Sequence, residues 1–274
     1  MCVFSVAGKQ LKGGYMLRNL SELRRYVIEA RDGEIGRCHD FLFDDRYWTI
    51  RYMVADTRKW LPGRKVLISP ISLESPDWNG KRFPVKLTRE QVKGSPPLEE
   101  DQPVSRQYEG RFFDYYNWPY YWIGPYPWGT HVAPLELYAE KLKQGARDEV
   151  MEHHDSHLRS MKEVEGYHIQ AIDGEIGHVE DFLADEKAWT IRYLVVDTRN
   201  WLPGRKVLIA SDWLDNVSWS HRTVSVVLNR EQIKDSPEYN PSAPMDRSYE
   251  TIVYNYYGIP PYWHKKIEED MASK

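Results

Sequence analysis

Apolar and polar positions alternate in short runs along residues 26–87, and each run is closed by residues that favour a turn. Tyr26 to Ala30 is a short β-type run. Asp32-Gly33 follows it, a two-residue hairpin signal because glycine accepts a positive φ. Ile35 to Phe43 reads as the next strand and Asp44-Asp45 as a polar turn. From Trp48 to Ala55 the period is two. Trp48, Ile50, Tyr52 and Val54 share one face and Thr49, Arg51 and Met53 the other, which predicts a half-buried strand. Leu61-Pro62-Gly63-Arg64 fits a type II turn. Lys65 to Ser69 is another strand, and Asn79-Gly80 marks a second hairpin before Phe83 to Leu87. Thr88 and Gln91 have capping-box spacing and open one helical turn that Pro96 stops.

The whole pattern then recurs. Asp32-Gly33-Glu34-Ile35-Gly36 returns as Asp173-Gly174-Glu175-Ile176-Gly177, an offset of 141 residues. Residues 32–68 and 173–209 are identical at 27 of 37 positions without a gap, so the chain is a tandem duplication. The period is far too long for a solenoid, and each copy is large enough to bury its own core. Asn229 and Gln232 repeat the capping-box spacing, and Pro237 the stop. Where the copies differ, Cys38 is matched by Val179, which predicts apolar packing rather than reactivity. His39 is matched by Glu180, which argues against a shared catalytic histidine. The predicted boundaries are an N-terminal extension over 1–15, a first domain with its tail over 16–132, a helical linker over 133–156 and a second domain with its tail over 157–274.

Five or six short strands per copy, bounded by Gly and Pro, predict a mainly β chain of two small antiparallel barrels, each closed or partly open. The residues Asp32-Gly33-Glu34-Ile35-Gly36, Phe41-Leu42, Trp48-Thr49-Ile50-Arg51-Tyr52, Asp56-Thr57-Arg58 and Trp60 to Ile68 resemble the PRC-barrel family, as does the lead-in Ser160 to Tyr167. That β-barrel occurs in the photosynthetic reaction-centre H subunit and at the C-terminus of a ribosome maturation factor. The resemblance covers about 75 residues of each copy. It implies the barrel fold and says little of function, because the family hosts unrelated roles.

Aromatic residues gather after each copy. Residues 108–128 hold 11 aromatics in 21 positions and residues 249–263 hold six in 15, with Tyr115-Tyr116 and Trp122 matched by Tyr256-Tyr257 and Trp263. The tails therefore belong to the duplicated unit. They either pack across a barrel or form a binding platform. Pro134 to about Glu152 predicts a helix with Leu135, Tyr138, Leu142 and Ala146 on one stripe, bridging the barrels. His153 and His157 are four apart, a metal-ligand spacing that a solvated linker explains equally.

Composition narrows the classes. With 37 basic and 41 acidic side chains the net charge is −4, which argues against bulk nucleic-acid coating. No apolar run is long enough to span a bilayer, and Cys2 to Gly8 is too short, and lacks the charged leader, for a secretory signal. Two cysteines, Cys2 and Cys38, cannot build a disulfide framework, so a reducing, cytoplasmic setting is expected. No H-E-x-x-H, G-x-S-x-G, C-x-x-C or phosphate-cradling loop occurs, and no catalytic residue, cofactor or metal is predicted.

The best candidate site is the loop carrying Arg58, Trp60, Arg64 and Lys65, with its copy Arg199, Trp201, Arg205 and Lys206. In one reading Asp56 pairs with Arg58 and Trp60 covers a barrel mouth. In the other, the doubled basic patch docks an acidic protein with avidity. The expected function is a non-catalytic adaptor for a macromolecular partner. The alternatives are a small-molecule carrier or enzyme with a pocket between the barrels, or a ribosome or RNA-assembly factor. A protein partner is expected and nucleic acid disfavoured, and a peripheral place at a membrane complex stays open. The self-complementary surface of the repeat predicts a pseudo-dimer within the chain or a homodimer.

Overall fold

The computed structural model describes residues 16–57, 60–61, 64–98, 104–141, 157–198, 205–243 and 245–264. The first copy comprises β1 (Leu17–Asn19), α1 (Leu20–Leu23), β2 (Val27–Ala30), β3 (Gly33–Asp44), β4 (Thr49–Asp56), β5 (Lys65–Ile68), β6 (Arg82–Pro84), α2 (Arg89–Gly94), α3 (Arg106–Tyr116) and α4 (Pro134–Lys141). The second comprises β7 (Leu158–Ser160), α5 (Met161–Val164), β8 (His168–Ala171), β9 (Gly174–Asp185), β10 (Ile191–Asp197), β11 (Lys206–Ala210), β12 (Leu214–Ser218), β13 (Thr223–Val226), α6 (Arg230–Lys234) and α7 (Arg247–Tyr257). Both capping boxes form, with Thr88 Oγ1 accepting from Gln91 N and Asn229 Oδ1 from Gln232 N.

Each copy folds around one mixed sheet. The first runs β5-β4-β3-β2-β6 and the second β11-β10-β9-β8-β13-β12. Neither closes into a barrel, and neither is purely antiparallel: β6 lies parallel to β2, and β13 parallel to β8. The predicted second hairpin explains the departure. Its turn pairs Asp77 with Arg82 locally, so the strand that leaves it reaches the β2 edge running in the same direction as β2. The 12-residue β3 is bent by register shifts between Cys38 and Asp40 and between Leu42 and Phe43, which lets one strand serve two neighbours in turn.

β2 leaves the outer end of β3 uncovered, and the other copy covers it. β7 pairs with β3 through Leu158↔Asp44 and Ser160↔Leu42. Reciprocally, β1 pairs with β9 through Leu17↔Asp185 and Asn19↔Leu183. Each contact maps onto the other at the 141-residue offset, the pattern a two-fold relation produces. Three further pairs follow it. Arg24 meets Glu165, its own counterpart, at 2.7 Å. Ile50 N donates to the Trp189 carbonyl and Ile191 N to the Trp48 carbonyl, both at 2.7 Å. Asp181 accepts from Asn19 Nδ2 and from Ser21 N, while Asp40 accepts from Ser160 Oγ and from Lys162 N. Trp48 and Trp189 sit at φ 53° and 55°, in the left-handed region unusual for a bulky residue. That backbone strain falls where each tryptophan's carbonyl receives the other copy's N–H. Exchanged strands thus shield sheet edges that barrel closure was expected to remove.

The predicted half-buried strand is buried on both faces, since all seven residues Thr49 to Ala55 of β4 are buried. The aromatic tail is the cover. It opens with a helix that the aromatic density had concealed, α3, capped by Ser105 Oγ on Tyr108 N, and α7 repeats it with Asp246 as cap. Tyr52 meets Phe112 edge-on, and Arg51 is 1 % exposed beneath Tyr121 and Trp128. Each helix is tied down by a matched bond, Tyr115 OH to the Gln91 carbonyl at 2.9 Å and Tyr256 OH to the Gln232 carbonyl at 2.8 Å. In α4 Pro134 and Leu137 are buried and Leu135 is exposed, so the apolar stripe is rotated from its expected face. α4 packs beside Pro70–Ser72 of its own copy. The rest of the expected linker, with His153, lies outside the described residues.

Candidate functional site: a cleft between the copies

The sequence singled out two basic loops. Arg58, Arg199 and Trp201 lie outside the described residues, as do Pro62 and Gly63 of the expected type II turn. Trp60, Arg64, Lys65, Arg205 and Lys206 are half-buried. Arg64 donates from Nη1 to the Lys93 carbonyl at 2.6 Å and from Nη2 to the Ser95 carbonyl. Arg205 donates to the Lys234 and Ser236 carbonyls in the same way. Both guanidiniums thus serve the open C-terminal carbonyls of α2 and α6. Lys206 Nζ reaches Glu180 at 2.5 Å, and Arg89 stacks on Trp60 at 4.8 Å. Across the copies, Lys162 Nζ lies 2.8 Å from His39 Nε2.

A large concavity lies elsewhere, at the junction of the copies. It is a cleft of about 1360 Å³ whose walls include Tyr47, Trp48, Tyr126, Asp185, Arg192 and Tyr262. Arg192 stacks its guanidinium 4.1 Å from the Tyr262 ring centroid and lies 3.6 Å from Asp185. Arg247, also on the wall, stacks on Trp263 at 4.0 Å.

Beneath that wall lies a duplicated polar network. Glu250 Oε1 accepts from Tyr193 OH at 3.2 Å and Tyr262 OH at 3.0 Å, and Oε2 faces Arg247 at 3.0 Å. Burial pushes the Glu250 carboxyl up to about 7, against the opposing pull of Arg247 and the two tyrosines. In the first copy Glu109 accepts from Tyr52 at 2.9 Å and Tyr121 at 2.7 Å and faces Arg106 at 2.7 Å, and burial again raises its pKa. The network fixes Tyr121 and Tyr262, the rings on which Arg51 and Arg192 lie.

The first-copy counterpart of the cleft wall is filled. Arg51 Nε donates to Asp44 at 2.6 Å and Nη1 donates to the Pro127 carbonyl. Its guanidinium lies 3.9 Å from the Tyr121 centroid and 4.8 Å from that of Trp128. Trp128 is fully buried, and its Nε1 donates across the junction to the Ala188 carbonyl at 2.9 Å. No basic-loop motif signals this slot in the sequence. The available signal is the tail comparison, in which Trp128 is matched by Glu269.

Among the described residues no group of three or more His, Cys, Asp or Glu is placed to hold a metal ion. His157 Nδ1 lies 3.5 Å from Asp45. Cys38 is buried and its thiol pKa is raised, chiefly by desolvation, so it stays protonated. Among the described residues no helix is long and apolar enough to cross a membrane. No protein-family model matches the sequence, and no curated protein matches it.

Proposed function

We propose that the chain is a tandem, PRC-barrel-like adaptor without catalytic activity, which docks a protein partner in the cleft between its copies. The observation that carries this reading is the cleft itself, whose walls draw on both copies, with Tyr47, Trp48 and Tyr126 from the first and Asp185, Arg192 and Tyr262 from the second. Arginine and aromatic side chains are the types enriched at protein-binding hot spots. The exchanged strands hold both cleft walls in register, so the site is preorganised. The basic loops enter this reading as supports of the shell.

A photo-crosslinking residue placed at Lys187 or Asp215, on the cleft wall, tests the proposal against one placed at Glu34, in the distant β2–β3 hairpin. In a lysate of the source organism, a discrete protein adduct formed from the cleft positions alone is the expected result. Equal labelling from Glu34, no adduct, or adducts to nucleic acid would overturn it. The carrier reading makes the opposite forecast: a small molecule would copurify with the chain and block crosslinking.

A further inference from the structure

A residue on a two-fold axis meets its own counterpart. Thr49, which bridges to Thr190, and Arg24, which pairs with Glu165, both do so at the 141-residue offset. The threonine contact brings the same residue from both sides and would form between any two repeats. The other contact would not. Arg24 Nη1 donates to Glu165 Oε2 at 3.1 Å, and Nη2 lies 2.7 Å from Oε1, a two-point contact between half-buried side chains. Two first copies joined in the same way would set Arg24 against Arg24, and two second copies Glu165 against Glu165. Like charges held together at an interface are strongly disfavoured. Burial already raises the pKa of Glu165 against the pull of Arg24, and Asp181 and Asp40 push it the same way as burial. A second glutamate in place of Arg24 would add to that repulsion.

The other charges across the junction select little. Arg18 meets Glu186 and Arg159 meets Asp45, a base on the exchanged strand against an acid in both copies, so like and unlike pairings keep them alike. Lys162, matched by Ser21, weighs the other way. It reaches His39 here and would face Glu180 between two second copies. His39 is exposed, and Glu180 already holds Lys206, so that contact carries little weight.

We propose that the junction face of each repeat is a recognition surface for the opposite repeat, of its own chain or of a second copy, and that Arg24 and Glu165 select unlike over like. The exchanged strands β1 and β7 supply the affinity, and the pair on the axis supplies the choice. A self-complementary surface carried by both halves is thereby kept from joining chains through their identical repeats. Pairing with a second copy uses the same contacts, so the intrachain arrangement wins by effective concentration.

The test uses three full-length variants. Arg24→Glu carries glutamate at both axis positions, Glu165→Arg carries arginine at both, and the double reversal restores opposite charges. The single variants, one of them isotope-labelled, are unfolded in urea, refolded alone or mixed, and read by native mass spectrometry. Only between the two variants do glutamate and arginine meet, so the mixture should hold about tenfold more mixed dimer than labelled and unlabelled wild type treated alike. Variants that misfold alone and fold when mixed give the same answer. In urea, each single reversal should lower the unfolding midpoint and the double reversal restore it, which separates charge pairing from general damage at two half-buried positions. A mixture no richer in mixed dimer than the wild type overturns the inference. So do single variants as stable as the wild type, or a double reversal as unstable as the single ones.

Discussion

Trp128→Ala removes the plug from the first slot and measures what the plug contributes. The side chain is fully buried, its Nε1 bonds to the Ala188 carbonyl at 2.9 Å, and Arg51 lies 4.8 Å from its centroid. Truncating a buried tryptophan to alanine costs about 3–5 kcal/mol. The upper end is expected here, about 5 kcal/mol, because a hydrogen bond worth about 1 kcal/mol and a cation–π contact of about 1 kcal/mol go with the ring. Urea unfolding followed by circular dichroism gives the loss directly from the midpoint and slope. The vacated slot keeps the Tyr121 ring, the Arg51 cation and the Ala188 carbonyl, so added indole should restore part of the stability. At ten times its dissociation constant the gain is about 1.4 kcal/mol. 1-Methylindole has the same ring without the N–H donor and should restore less. A loss below about 1 kcal/mol, the range of ordinary surface changes, would refute the slot. So would a variant on which indole has no effect.

Three other outcomes follow from the packing. Gly36→Ala and Gly177→Ala should each destabilise the chain by about 3 kcal/mol in urea, because an added Cβ would stand 2.1 Å from the Asp56 carbonyl oxygen and 2.0 Å from that of Asp197; a neutral result at both would contradict the close strand approach. Glu250 has a pKa of about 7 against an ordinary 4.5, so between those values the folded chain holds a proton that the unfolded chain has released. Stability should therefore fall as pH rises through that window and level off above it, and Glu250→Gln should flatten the profile by up to about 3 kcal/mol; an unchanged slope in denaturation series from pH 4 to 8 would remove this account. Arg205→Ala should lower stability by about 1–3 kcal/mol by stranding the Lys234 and Ser236 carbonyls, while leaving cleft crosslinking in place; intact stability with lost crosslinking would return the basic loop to the role of a docking site.

The sequence carried the strands well where the signal was local. The Thr88 and Asn229 caps appear where the residues predicted them, and the Asp-Gly hairpins form one residue earlier, over Arg31-Asp32 and Ile172-Asp173, with Gly33 and Gly174 opening β3 and β9. The exchange of β1 and β7 was illegible. Leu17-Arg18-Asn19 and Leu158-Arg159-Ser160 are too short for periodicity, and their partners lie 166 and 116 residues away at the centre of each pairing. The helices α3 and α7 were readable after all. Tyr108, Phe112, Phe113 and Tyr116 fall at helical spacing behind the Ser105 cap, but their aromatic side chains also favour strands. In the candidate loops Arg64 and Arg205 looked like surface charge because nothing in a linear motif says that a helix end will lie beside them. The cleft was hidden for a different reason. It is walled by both copies and exists only once they have been packed against each other.

The divergence of the tails gives the covalent duplication a physical sense. A homodimer of one repeat would place identical tails over identical slots, so both would be sealed or both accessible. Fusion releases the copies from that constraint. Here the sealed slot ties the halves together, since Trp128 belongs to one copy and the Ala188 carbonyl to the other. The reciprocal strands do the same from both sides. In the second copy Arg192 keeps the stacked geometry on Tyr262 that Arg51 has on Tyr121, while the tail position matching Trp128 is Glu269. The shared shell therefore explains why the repeat stayed alike over residues 32–68 and 173–209, while fusion let the tails diverge, one carrying Trp128 and the other Glu269 at the matching position.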